Sequence, residues 1–504
     1  MPRRGLAHTP RHSDVTCRYA TAEKPLLSQG RAGRPKAGTP LKWIKDMSDQ
    51  TRANQRSMDL AKVSTATATA IAVADMIGIG VFTSLGFQVG GIPSAFSLVT
   101  LWVVGGITAL CGALCYAELA AALPRSGGEY NFLSRIYHPA VGFLAGWISA
   151  TVGFAAPIAV AAMAFGQYFQ GAFPGLLDGV LAPPTVSLAL GLALAWMVSA
   201  VHLGGLAHSS LLQNVSTAIK VLLIIGFIVA GFAFGTPQPI SFAPSAQDIG
   251  YILSAPFAIS LVYVMYSYSG WNAATYIINE VRDPERSLPR SLLVATLIVL
   301  VLYVLLNAVF LYTTPMAKMA GQIDVAKVVG AEVFGATGGR LVAGLICIGL
   351  ISAVSAMVWI GPRVTVAIGE DLPGLRILAR KTKAGVPAMA ILLQLAVVTV
   401  MLLTQKFETV VNYIQFSLTF CTFLAVLGVI VLRFTRPELT RPYRVWAYPV
   451  TPLIFLAVTG YMMFFQLTQK PVESVAGLLT MLAGLVVFAV SRRLAPGSSA
   501  AVPG

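Results

Sequence analysis

The chain has 504 residues, 56% hydrophobic and 11% charged, with a formal net charge of +15 and a mean hydropathy of +0.75. An ordinary soluble domain carries about 25% charged residues, so a soluble class is excluded. Apolar runs of ~20 residues without period-two alternation exclude a β-barrel, which leaves an all-α polytopic membrane protein.

Residues 1–62 are polar and basic, with no apolar run long enough for a signal peptide, and read as a disordered cytoplasmic tail able to touch anionic lipid. A translation start at Met47 or Met58 is the alternative reading of this stretch. Twelve apolar segments follow, at about 64–88, 95–121, 140–169, 185–203, 215–235, 251–280, 291–313, 339–368, 387–404, 409–432, 448–468 and 473–491. They are called segments 1 to 12 below. Each is long enough for a ~30 Å hydrocarbon core. The expected layout is therefore a transmembrane domain over 63–493 and a cytoplasmic C-terminal tail over 494–504. Four of the five cysteines, Cys111, Cys115, Cys347 and Cys421, lie in these segments and read as small core residues rather than a disulfide framework.

The loops set orientation. With the amino terminus inside, one side carries sixteen lysines and arginines and the other only Lys318, Lys327, Arg340, Lys406 and Lys470. Both termini are thus expected in the cytoplasm. The positive charge is a topology signal, and no nucleic-acid partner is expected.

Segment 1 contains Asp75, Ile77, Gly78, Ile79 and Gly80 at its centre. A carboxylate in hydrocarbon costs roughly 2.5–3.5 kcal/mol on insertion scales, and glycines weaken the helix around it. Segment 6 has a comparable weak point in Tyr266-Ser267-Tyr268-Ser269-Gly270-Trp271-Asn272. The two lie about 190 residues apart with four intact segments between them. Paired interruptions at corresponding positions point to the midplane binding site of a secondary transporter. Glycines that merely allow close helix packing are the competing explanation.

At this point the residues carry a resemblance. Ile77-Gly78-Ile79-Gly80-Val81-Phe82, Cys115-Tyr116-Ala117-Glu118-Leu119, Ser126-Gly127-Gly128-Glu129-Tyr130 and Tyr268-Ser269-Gly270-Trp271-Asn272 resemble motifs of the amino acid–polyamine–organocation (APC) transporters. So does Asn279-Glu280-Val281-Arg282-Asp283-Pro284, and the likeness spans about residues 60–490. It implies twelve transmembrane helices in a LeuT-like 5+5 inverted repeat, with an amino acid held between broken helices 1 and 6. Unpaired amides near Gly78–Gly80 suit a carboxylate, and free carbonyls near Tyr268–Gly270 suit an ammonium. Tyr266 resembles the family's aromatic gate.

Lys220 in segment 5 matches the position where sodium-independent members carry a lysine in place of sodium, between segments 1, 5 and 8. Ser352 and Ser355 would complete that pocket. A lysine one turn from a helix end that snorkels to headgroups is the alternative. Asp75 departs from the family pattern, and three roles stay open: an ion pair with Lys220, a contact to a substrate amine, or a protonatable coupling group.

Glu118, Glu280 and Asp283 read as loop ion pairs beside Arg125, Arg282 and Arg286. His138, His202 and His208 lack metal-ligand spacing, so no metal or cofactor is expected. The function implied is a secondary amino acid permease of the cell membrane, sodium-independent, working by proton coupling or exchange. A polyamine or cationic amino acid antiporter is the alternative, and an enzyme, channel or sensor is disfavoured. Oligomeric state is not legible.

Overall fold

The computed structural model describes residues 64–493 apart from Ser126, Asp178, residues 180–181 and 205–209, Ala384 and Gln405, and without the side chains of residues 210–217, Ile277, Asn279, Glu280 and Pro373. The basic tail, residues 494–504, His208 and the Glu280 side chain therefore lie outside the described residues.

Every regular element among the described residues is helical, and nine helices are long and apolar enough to cross a membrane. Shorter apolar helices, Ala218–Phe234, Ala255–Tyr268 and Ala388–Leu403, fall in segments 5, 6 and 9. Helix starts follow local chemistry. Ser64, Ser94 and Ser254 each accept a hydrogen bond from the third residue onward, at 3.2, 3.2 and 3.4 Å. Proline opens the helices Pro139–Ile148, Pro183–Leu203, Pro284–Thr313 and Pro471–Arg493, where its missing N–H costs nothing.

Three segments are interrupted, and a fourth is preceded by a kink. Segment 1 is helical over Thr65–Met76, leaves the helix at Ile77 (ψ 78°), and resumes at Gly80–Thr83 and Leu85–Gln88. Segment 6 is α-helical over Ala255–Tyr268, turns at Gly270 (φ +100°), and continues as a 3₁₀ helix over Ala273–Glu280. Segment 3 contains a π-helical turn, Ser149–Gly153, between Pro139–Ile148 and Ala155–Ala172. The long stretch Val325–Asp371 kinks at Gly335 (φ 75°, ψ 175°), so a short helix precedes segment 8 proper.

The two breaks meet. A Cβ on Gly270 would lie 2.7 Å from Asp75 Oδ2 and 2.9 Å from the Asp75 carbonyl carbon; one on Gly80 would lie 2.8 Å from Ser267 Cα. A Cβ on Gly78 would meet nothing within 4 Å. Close packing and helix interruption, alternatives in the sequence, thus fall on different glycines. Gly80 permits contact, Gly270 permits both contact and a left-handed turn, and Gly78 faces open space.

Around the breaks, segment 7 packs along segments 1 and 2, and segment 8 along segments 3 and 5. At the end carrying the arginine-rich loops, buried Glu118 accepts from Arg433 Nη2 at 2.7 Å and from the Val445 amide at 2.7 Å, with Arg441 Nε 3.6 Å away. Arg125 instead faces Asp371, 3.9 Å away. Glu118 points at segment 10 because it sits one turn before the end of Ala95–Ala122, inside the bundle.

Two predictions follow from this packing. Gly270→Ala and Gly80→Ala should each lower thermal stability in detergent, with about 1–3 kcal/mol of backbone strain at Gly270, while Gly78→Ala should be tolerated; equal tolerance of all three would remove the contact argument. Glu118→Ala should cost about 3 kcal/mol by leaving two guanidiniums without their carboxylate, and an unchanged unfolding midpoint would reduce the cluster to a surface pair.

Candidate functional site

Breaking a helix at membrane depth exposes backbone groups that must find partners. In segment 1 the Met76 carbonyl accepts from the Gly78 amide at 2.8 Å and from the Tyr303 hydroxyl of segment 7 at 2.7 Å. The Phe82 carbonyl accepts from Tyr168 of segment 3 at 2.8 Å. The amides of Ile79, Gly80 and Val81 stand at the start of the resumed helix, where intrahelical acceptors do not exist. In segment 6 the Ser269 amide donates to the Tyr266 carbonyl at 3.1 Å and Ala273 to Gly270 at 2.9 Å. The Thr275 hydroxyl donates to the Asn272 carbonyl at 2.7 Å.

Beside the joined breaks lies a cavity of about 130 Å³, walled also by segments 3, 8, 10 and 11. One water needs roughly 10–15 Å³ by the same kind of measure, so the space holds several waters or a small solute. Asp75, Ser269, Gly270 and Asn272 line it. The π-helical turn of segment 3 brings in Ser149 and Gly153, the kind of local widening that recurs at functional sites.

The other residues singled out in the sequence lie around this cavity rather than in its wall. The Ser267 hydroxyl donates to Tyr263 O at 2.7 Å and lies 3.0 Å from Ser84 Oγ, tying the resumed half of segment 1 to segment 6. Tyr268 donates to Trp102 O at 3.2 Å and packs with Trp102 and Tyr303, turned toward segments 2 and 7. Tyr266, Ile77 and Ile79 are buried and belong to the apolar core.

Lys220 is buried, with Nζ 3.5 Å from the Ala74 carbonyl of segment 1 and Cγ 3.1 Å from the space a Cβ on Gly349 of segment 8 would take. It does not reach for headgroups. Beside it, a void of about 10 Å³ is lined by Gly78, Ile79, Phe82, Leu223 and Ala353, at the lower limit for one water. No ion pair within 4.0 Å joins Lys220 to Asp75 among the described residues. Ser355 Oγ lies 3.0 Å from His202 Nε2 of segment 4, and Ser352 is buried in the same helix.

One residue of the cavity was quoted in the sequence only as part of a motif. Glu129, buried, accepts from Tyr116 at 2.9 Å, Asn272 Nδ2 at 2.6 Å and Tyr276 at 2.6 Å. Gly128 (φ 51°) makes room for this, because a Cβ there would lie 2.6 Å from the Tyr276 ring. The paired glycines before Glu129 were the available signal. The cavity wall thus holds two carboxylates, Asp75 and Glu129, and no lysine or arginine among its described residues. Such a wall attracts an ammonium or a proton. No group of three or more metal-ligating side chains occurs among the described residues.

A family model described as amino acid permease matches residues 63–490. The b(0,+)-type amino acid transporter 1 of Mus musculus is 28% identical over 426 residues, covering 82% of this chain and 85% of that one. The large neutral amino acids transporter small subunit 2 of Mus musculus is 27% identical, covering 82% and 78%. The Asc-type amino acid transporter 1 of Mus musculus is 24% identical, covering 86% and 82%. With a family match over nearly the whole helical region, the chain belongs to the amino acid permeases.

Proposed function

We propose that the protein is a multi-pass secondary transporter that moves amino acids across the cell membrane by alternating access, with both termini in the cytoplasm. The observation that carries this reading is the seating of Gly270 on the backbone of Asp75, which puts two interrupted helices side by side at one cavity. Amides at the start of the resumed half of segment 1 receive the substrate carboxylate. Carbonyls at the turn of segment 6, with the acidic wall behind them, receive the ammonium.

Twelve spans in a 5+5 inverted repeat fit the packing. Segment 1 lies on segment 7 as segment 6 lies on segment 2; segment 3 packs on segment 4 as 8 does on 9; segment 5 meets segment 8 as 10 meets 3. Adding or subtracting five relates each pairing to its counterpart. The transport domain then spans 63–493, flanked by cytoplasmic tails over 1–62 and 494–504.

Lys220 takes the place of a sodium ion in this proposal. Its ammonium on the Ala74 carbonyl holds the end of the first half-helix against segments 5 and 8, so transport is sodium-independent and driven by protons or exchange. The relatives are named for amino acids, one of them for large neutral ones. The acidic wall favours a second reading, transport of cationic amino acids or polyamines.

Reconstitution in liposomes with labelled amino acids and polyamines, with and without a pH gradient, should give saturable, counter-transportable uptake; none for any of them would sink the proposal. Lys220→Ala should abolish uptake while the protein stays in the membrane. Asp75→Asn should weaken uptake of cationic substrates about tenfold or more relative to neutral ones if the carboxylate contacts the substrate, since a charge-assisted hydrogen bond is worth ~1.5–3 kcal/mol. Equal loss for both classes would assign Asp75 to coupling instead.

A further inference from the structure

A larger cavity, of about 500 Å³, opens where segments 4, 8 and 9 end beside the arginine-rich loops. It shares no lining residue with the cavity at the breaks. One wall is charged: Arg363 lies over the ring of Trp359, 3.5 Å from its centre, and Lys381 sits 3.9 Å from Glu370. The turn that carries Lys381 is closed by hydrogen bonds from the Thr382 amide to Val386 O and from the Gly385 amide to Thr382 O, both 2.8 Å. Val358, Val366 and Ile391 add an apolar wall to the lining, the two valines on the same helix as Arg363. The helices leaving the cavity carry exposed Trp196, Met197 and Val201 on segment 4 and Met389 and Leu392 on segment 9.

We propose that this cavity seats the headgroup of an anionic phospholipid. Its phosphate is drawn to Arg363 and Lys381, its glycerol lies against the valines, and its acyl chains run along segments 4 and 9. Basic pockets between transmembrane helices at the membrane surface recognise such headgroups by this combination of charge and apolar wall. A small soluble anion would use the cations but leave the apolar wall bare. Among the described lining residues two cations outnumber a single carboxylate, so the preference is for net negative lipid over zwitterionic lipid of the same chain length.

The test is native mass spectrometry of the full-length protein in detergent, offered equal amounts of phosphatidylglycerol and phosphatidylcholine with matched chains. Retained phosphatidylglycerol should exceed phosphatidylcholine by about fivefold at low salt, as one net charge implies. Arg363→Gln with Lys381→Gln should bring the ratio to about one, and Arg363→Lys with Lys381→Arg should preserve it. Glu370→Gln, which removes the competing carboxylate, should raise it about fivefold further. Excess glycerol phosphate should not displace the lipid. Equal retention of the two lipids, a ratio unmoved by the Gln pair or by Glu370→Gln, or displacement by glycerol phosphate would each overturn the proposal.

Discussion

A backbone amide or carbonyl without a partner in hydrocarbon costs several kcal/mol, and the placement of the two interrupted helices depends on meeting that demand. The structure does so with hydroxyl groups from neighbouring helices. Tyr303 and Tyr168 serve the carbonyls of segment 1, and Thr275 serves its own turn in segment 6. The carbonyls of Ile79 and Gly80 are taken up within the resumed helix, by the amides of Phe82 at 2.9 Å and Ser84 at 2.8 Å. The amides that begin that helix are the ones the proposed carboxylate contact uses. In that proposal, recognition by backbone is indifferent to the substrate's side chain, and selectivity falls to the cavity wall.

That wall is acidic, and its carboxylates are held differently. Glu129 is enclosed by three donors from three elements. Asp75 has no hydrogen bond or ion pair among the described residues and lies under Gly270, where the two interrupted segments touch. A carboxylate surrounded by donors is committed to its neighbours, whereas one without them is available to whatever enters the cavity. Lys220, one helix face away, is occupied with the Ala74 carbonyl. Asp75 and Lys220 act on each other through space, without a direct ion pair among the described residues.

Much of the layout was legible in the sequence, because membrane helices announce themselves by length and hydropathy and glycines mark where they fail. The positions of the breaks in segments 1 and 6 follow from such local signals, whereas the burial of Lys220 is expected from the family resemblance alone. Which way a side chain turns does not. Tyr266, Tyr268 and Ser267 sit in one short run, yet Tyr268 packs into segments 2 and 7 and Ser267 bonds to segments 1 and 6. Ser355 meets His202 of segment 4. The partners of Glu118 come from more than 300 residues away, a distance at which no spacing rule operates. Glu129 escaped for the opposite reason: it lies outside the apolar segments, in a short helix that the chain folds back under the cavity.

The open space beside Gly78 has a mechanical consequence. Before it, Thr65–Met76 is fastened to segment 7 by Tyr303 and, at its start, by the hydroxyls of Thr65 and Ser287 3.0 Å apart. After it, the resumed helix is fastened to segment 6 through Gly80, Ser84 and Ser267. Gly78, whose amide is itself bonded to Met76 O at 2.8 Å, joins these two anchored pieces and has no side chain to push into either. Any change of angle between the two pieces falls on the stretch from Ile77 to Ile79, because both of its flanks are held.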